Sequence, residues 1–266
     1  MNKKIGFYGA GNMGKAIMQG LLEAKVAQAE DIYVFDVYQP ALDKIQADLG
    51  VNTVNEEEKV AQQVDINLVA VKPGIVPSVL DKIKDHISSD SIVVSIAAGV
   101  TLETLTAHLP AETKTIRVMP NTPALVGEGM SALAPNEFVT DQDKEDIMEI
   151  FSSFGQAKFL DEHFIDAVCG VSGSGPAYVY LFIEALADGA VLEGMTRPDA
   201  YLFAAQTVFG SAKMVLETGK HPGELKDMVC SPGGTTIGAV NSLEEDGFRS
   251  AVMHAVSTAT KISKGM

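Results

Sequence analysis

Glycines at positions 9, 11 and 14, in the run Gly9-Ala10-Gly11-Asn12-Met13-Gly14, are the residues from which chemistry can first be read. They follow the apolar stretch Ile5, Gly6, Phe7, Tyr8 and precede a helical pattern that sets Met13, Ile17 and Leu21 on one face. A strand entering a helix through such glycines offers backbone N–H groups and a positive helix end to a pyrophosphate. Gly9 permits the tight turn, Gly11 lets phosphate approach the backbone, and Gly14 lets the helix pack close to the strand. A second apolar run, Ile32-Tyr33-Val34-Phe35, ends in Asp36. That acid lies about 20 residues beyond the glycines, where a carboxylate can accept from ribose hydroxyls.

Further unusual loops follow apolar runs. Ala70-Val71-Lys72-Pro73 presents backbone toward a dinucleotide. Ile96-Ala97-Ala98 is small enough to leave room for a flat ring. Asn121, in Met119-Pro120-Asn121-Thr122-Pro123, can bond a ribose or an amide. Gly170-Val171-Ser172-Gly173-Ser174-Gly175-Pro176 reads as a flexible glycine run, or a hinge, before a proline-started helix. Each is also compatible with a plain structural turn. The most informative is Ser231-Pro232-Gly233-Gly234-Thr235-Thr236, ahead of a helical run. Consecutive free amides at a helix start make an anion nest, and Ser231, Thr235 and Thr236 add hydroxyls. The pattern suits a carboxylate with a second polar atom beside it.

No Ser-His-Asp set, paired carboxylates or metal-ligand spacing occurs. Cys169, Cys230 and the five histidines are scattered, so no metal is expected. Hydride transfer needs none of these groups, because the cofactor carries the chemistry.

Strand and helix patterns must place these loops. Helical patterns cover 39–49, 56–63, 75–84, 102–108 and 140–151. Strands are expected at 51–53, 66–70, 92–96, 115–119, 130–134 and 156–159. Such alternation gives an α/β fold with a mostly parallel sheet. From residue 161 strand signals stop. The chain is therefore expected to divide into a dinucleotide-binding Rossmann domain, 1–160, and an all-α dimerisation and substrate domain, 161–266. The helix expected at 198–217 is apolar on most sides, and a partner subunit is the simplest cover for it.

The 266 residues, 46% of them hydrophobic, can bury a sizeable core, and the formal net charge is −15. That charge argues against nucleic-acid binding. No apolar run reaches membrane-spanning length and the N-terminus does not read as a signal peptide, so a cytoplasmic protein is expected.

In this order the motifs Gly-Ala-Gly-Asn-Met-Gly, Ala-Val-Lys-Pro, Arg-Val-Met-Pro-Asn-Thr-Pro, Ser-Gly-Ser-Gly-Pro-Ala-Tyr and Ser-Pro-Gly-Gly-Thr-Thr closely resemble pyrroline-5-carboxylate reductase. The resemblance spans nearly the whole chain, and its last two motifs are the specific ones. It implies NAD(P)H-dependent reduction of 1-pyrroline-5-carboxylate to L-proline, the last step of proline biosynthesis. It also implies a homodimer interlocked through the helical domain; a decamer rests on the resemblance alone. By it, Gly9 to Gly14, Ala70 to Pro73 and Ile96 to Ala98 match cofactor positions. Ser231, Gly233, Gly234, Thr235 and Thr236 match the substrate loop, with Thr236 against the ring nitrogen. Where relatives often carry an asparagine eight residues before Asp65, this chain has Glu57, with Asn55 nearby, so that contact stays unassigned. Asp36, with no arginine before it, favours NADH over NADPH. The alternatives are a related imine reductase, a β-hydroxyacid-type dehydrogenase using Lys213 or Lys226, and a dinucleotide-sensing protein without turnover.

Overall fold

Short apolar runs form the sheet of the computed structural model, which describes residues 3–265. The strands are β1 (Ile5–Tyr8), β2 (Ile32–Phe35), β3 (Asn52–Thr53), β4 (Ile66–Val69), β5 (Ile92–Ser95), β6 (Lys114–Met119), β7 (Gly129–Pro135) and β8 (Gly155–Phe159). Their order is β3-β2-β1-β4-β5-β6-β7-β8. Every pair is parallel except β6 with β7. The expected mostly parallel α/β sheet is present.

The connecting helices are α1 (Asn12–Glu23), α2 (Gln39–Leu49), α3 (Glu57–Ala61), α4 (Val76–Ile83), α5 (Leu102–Ala107) and α6 (Asp141–Ser152). Side chains alternate across the strands, so both faces need cover. Phe7, Leu68 and Val94 face a core with Ile17 and Leu21 of α1 and Ile147 and Phe151 of α6. Tyr8, Val69 and Val93 face the opposite core with Leu80 and Ile83 of α4 and Leu105 of α5. Sequence-derived boundaries hold to within a few residues. The largest change among these helices is in α3, expected at 56–63 and observed at Glu57–Ala61, and Pro73–Ile75 forms a 3-10 turn ahead of α4.

After β8 come α7 (Ile165–Val168), α8 (Gly175–Leu192), α9 (Arg197–Thr218), α10 (Pro222–Met228), α11 (Thr235–Glu245) and α12 (Phe248–Lys264). The chain separates into two compact units, residues 1–174 with 258–266, and residues 175–257. In the first unit, Cys169–Gly173 is a turn of π-helix, closed by the Ser174 amide donating to the Cys169 carbonyl at 2.8 Å. The glycine run read as flexible is thus helical. One face of β6 explains its placement. Arg117, Met119 and the following Asn121 are spaced by two and meet Glu162, Gly173 and Ser172 in turn.

Within the second unit α8 and α9 pack through Ala187, Ala200 and Ala204, with Ile183, Ala190 and Val191 around them. Small residues bring the helices close but cover little. Leu202, Phe203 and Leu216 of α9 remain 66%, 63% and 78% exposed. The helix expected to be buried is therefore not buried by its own chain. The continuous helical run Glu162–Leu192 is also long and apolar enough, by length and composition, to cross a membrane. This corrects the expectation that no segment reaches that length. The interrupting glycines hid the run, because the π turn carries the helix through them.

Candidate dinucleotide and substrate sites

The sheet order puts the ends of β2, β1, β4 and β5 side by side. The chain reverses its direction of travel between β1 and β4, and in doubly wound sheets ligands bind in the crevice at that point. Gly9 has φ 110°, and a Cβ there would stand 2.6 Å from the Ala70 carbonyl oxygen. Gly14 would push a Cβ to 2.8 Å from the Gly9 carbonyl oxygen. Both are fixed by backbone approaching backbone. Gly11 differs: it caps α1, is exposed, and a Cβ would meet nothing within 4 Å. No side chain caps α1, so its first amides face outward with the positive helix end behind them. The space above Gly11 is a cradle that a side chain would fill, and it fits a dinucleotide pyrophosphate.

Asp36 follows β2, half-buried. Its Oδ2 accepts from the Ala10 amide at 2.7 Å and its Oδ1 from the Tyr38 amide at 2.8 Å. The Ala70 amide donates to the Tyr8 carbonyl at 2.8 Å, which fixes the loop of Ala70, Val71, Lys72 and Pro73 beside the glycines. Lys72 and Pro73 are exposed. The Ile96 amide donates to the Val69 carbonyl at 3.1 Å, setting Ile96, Ala97 and Ala98 on the same edge.

Asn121 requires revision. It is only 9% exposed and its side chain is engaged at both ends. Oδ1 accepts from the Met130 amide at 2.8 Å and Nδ2 donates to the Ser172 carbonyl at 3.0 Å. Its observed job is to tie the loop after β6 to β7 and to the π turn, not to present an amide to a ligand.

The second unit holds the Ser231 loop. The Gly234 amide donates to the Ser231 carbonyl at 3.0 Å, and Gly233 has φ 68°. Pro232 and a left-handed Gly233 at the corner suit a type II turn. The Gly234 amide is therefore engaged inside the turn, and it drops out of the expected anion nest. Gly234 instead caps α11 without a side-chain hydrogen bond. The outward donors at this helix start are the amides of Thr235, Thr236 and Ile237. The free donors thus start two residues later than the Gly233, Gly234 and Thr235 amides that the sequence implied. The Ser231 hydroxyl lies 2.3 Å from where a Cβ on Gly234 would stand. Thr236 is half-buried and Ser231, Gly233 and Thr235 are exposed.

Spacing alone missed an ionic cluster around a buried arginine. Arg117, 5% exposed, donates from Nη1 to Glu162 Oε1 at 3.0 Å, and its Nη2 lies 3.8 Å from Asp166 Oδ1. Glu162 Oε1 also accepts from the Leu102 amide at 2.7 Å, and Asp166 Oδ1 from the Ser263 hydroxyl at 2.7 Å. One guanidinium thus joins β6, the start of α5, α7 and the end of α12. Glu57, the departure noted above, is 7% exposed and pairs with Lys82 at 2.8 Å. Burial, aided by the Glu57 and Glu58 charges, pushes the Tyr8 phenol well above its usual range. Its hydroxyl donates to Asn67 Oδ1 at 2.7 Å, so this is a core bond rather than an acid group. Among the described residues no group of three His, Cys, Asp or Glu could hold a metal ion.

Residues 162–266 match the family model described as pyrroline-5-carboxylate reductase dimerisation, and residues 4–99 match NADP oxidoreductase, coenzyme F420-dependent. A pyrroline-5-carboxylate reductase of Escherichia coli is 55% identical over 99% of this chain and 98% of its own. That of Methanosarcina acetivorans is 51% identical over 99% of this chain and 97% of its own. Among solved structures, the Coxiella burnetii reductase superposes with a TM-score of 0.94 at 34% identity, covering 100% of this chain and 98% of its own. The Plasmodium falciparum reductase, solved with NADP bound, has a TM-score of 0.89 at 37% identity, covering 99% and 98%. A glycine loop at the carboxyl end of β1, a Pro-Gly turn opening α11 and likeness along the full length converge: this chain belongs to the pyrroline-5-carboxylate reductase family.

Proposed function

We propose that the protein reduces 1-pyrroline-5-carboxylate to L-proline with a reduced nicotinamide dinucleotide, as the last step of proline biosynthesis, and that it prefers NADH. The observation that carries the reaction is 55% identity to a reductase over 99% of the chain, and the preference for NADH is argued from Asp36. Residues 1–160 take the dinucleotide role and 161–266 the substrate and dimerisation role. A homodimer is the minimum assembly. The apolar surface left on α9 supports it, and a decamer rests on the family likeness. We place the enzyme in the cytoplasm.

The amides that open α1, with Gly9, Ala10, Gly11, Asn12, Met13 and Gly14, bind the pyrophosphate. Asp36 accepts from the adenosine ribose. Ala70, Val71, Lys72 and Pro73 line the crevice, and Ile96, Ala97 and Ala98 leave room for the nicotinamide. When bound, the reduced nicotinamide supplies the hydride to the C=N carbon. Amides of Thr235, Thr236 and Ile237 donate to the substrate carboxylate, with the Ser231 hydroxyl and the turn at Gly233 and Gly234 shaping that pocket. The Thr236 hydroxyl donates to the imine nitrogen, the atom on which negative charge would otherwise build.

The β-hydroxyacid alternative needs a lysine acid or base. Lys213 pairs with Glu217 at 3.4 Å. The Asp227 carboxylate beside Lys226 raises that ammonium above its ordinary value, which favours a permanently charged group. Lys226 therefore does not suit proton transfer near neutrality. The test is turnover of NADH with pyrroline-5-carboxylate. Turnover only with another imine or ketone supports the alternative, and tight dinucleotide binding with no turnover supports a sensor.

A further inference from the structure

The Asp36 carboxylate is held at both oxygens by main-chain donors, Ala10 at 2.7 Å and Tyr38 at 2.8 Å. The Tyr38 bond closes a local turn of the kind aspartate makes two residues ahead. The Ala10 bond is different, since it reaches across 26 residues into the glycine loop. Next to it the Gly9 amide donates to the Phe35 carbonyl at 2.8 Å. Two successive loop residues are therefore fastened to the end of β2. A carboxylate has about four lone-pair positions, so two remain open beyond the backbone bonds.

Beyond the rejection of a 2′-phosphate already assigned to Asp36, we propose a second task for it: it holds the glycine loop in its pyrophosphate-binding shape, and a substitution to a shorter side chain does not separate the two. The proposal rests on the dinucleotide reading above. A free aspartate could rotate from an approaching phosphate, but this one would forfeit two charge-assisted hydrogen bonds by doing so. Nearby compensation is scarce. Val37 and Tyr38 are 90% and 64% exposed and bring no charge. Lys44 is the one cation between Asp36 and Val51.

The test is direct binding to the whole protein, followed by nicotinamide fluorescence. The ligands are NADH, NADPH and 2′,3′-dideoxy-NADH, which lacks the adenosine hydroxyls that Asp36 would hold. Wild type is expected to bind NADH at least about tenfold more tightly than NADPH, the scale of one charged hydrogen bond. Asp36→Ser is expected to weaken the dideoxy analogue by about tenfold as well, because the Ala10 amide loses its acceptor. Asp36→Asn removes the charge and keeps one acceptor oxygen, which can serve the Ala10 or the Tyr38 amide but not both. It is expected to bind the analogue more weakly than wild type while closing the gap between NADH and NADPH. A serine variant that binds the analogue like wild type overturns the loop task. Equal wild-type affinity for NADH and NADPH overturns the phosphate task. Turnover is recorded separately: failure to reduce the pyrroline would refute the proposed activity and leave these constants to decide the Asp36 tasks.

Discussion

Gly9→Ala and Gly11→Ala separate the fold of the loop from its ligand. At Gly9 the positive φ of 110° costs an L side chain about 1–3 kcal/mol. The added Cβ also lies 2.6 Å from the Ala70 carbonyl oxygen, where ordinary contact begins near 3.4 Å. Relief requires the neighbouring backbone to part, an overpacking cost of about 1–3 kcal/mol. The sum, about 2–6 kcal/mol, lowers the melting temperature by roughly 5–20 °C for a chain of this size. At Gly11 φ is −71° and the Cβ meets no protein atom within 4 Å. The fold loses at most about 1 kcal/mol of capping preference. The same methyl, however, would enter the space assigned to pyrophosphate. Displacing a packed ligand by about 1–3 kcal/mol weakens binding roughly 5- to 150-fold. The assays are thermal unfolding by circular dichroism and NADH titration. Full-strength NADH binding by a well-folded Gly11→Ala protein would refute the placement of the pyrophosphate. An unchanged melting temperature for Gly9→Ala would refute the steric argument.

Thr236→Ala is expected to lower kcat by about 100-fold while NADH affinity holds; an unchanged kcat would show that another group protonates the imine. Phe203→Glu, on the uncovered face of α9, is expected to shift sedimentation toward monomer, and a monomeric wild type at micromolar concentration would sink the interface. Arg117→Met leaves Glu162 and Asp166, both partly exposed, without their cation and should cost about 1–3 kcal/mol in chemical denaturation. Asp143 gives a pH prediction. Burial raises its carboxyl, but hydrogen bonds from Thr140 and Lys114 outweigh that and hold it below the ordinary value. Its contribution is complete above the unfolded value near 4 and is lost as pH falls through the lower folded value. Asp143→Asn should therefore flatten the acid limb of a stability-against-pH curve, and an unchanged limb would remove Asp143 as its cause.

What the sequence made legible follows from range. The glycine loop, the acid after β2 and the bounds of α2 at Gln39–Leu49 depend on residues close in the chain, and local spacing exposes them. The Arg117 cluster unites residues 102, 117, 162, 166 and 263, which no local period relates. Asn121 was open to a ligand role because its two partners, Met130 and Ser172, are recruited by the fold. The glycines from 170 to 175 misled through propensity: glycine weakens a helix, but tertiary packing against β6 carries one through. At the Ser231 loop the glycine pair marked a helix start correctly, yet only the turn bond shows which amide is already engaged.

The bare apolar side of α9 has a consequence for how stability should be measured. A chain that completes its core only against another copy is subject to mass action, so dilution and denaturation act on one linked equilibrium. The melting temperature should climb with total protein concentration, and quoting one value without that concentration would leave the quantity undefined. Synthesis is affected too, because the first chains released must find each other before Leu202 and Phe203 find something else. Partner encounter then becomes a step of maturation, and low expression would lower the fraction of native protein as well as its amount.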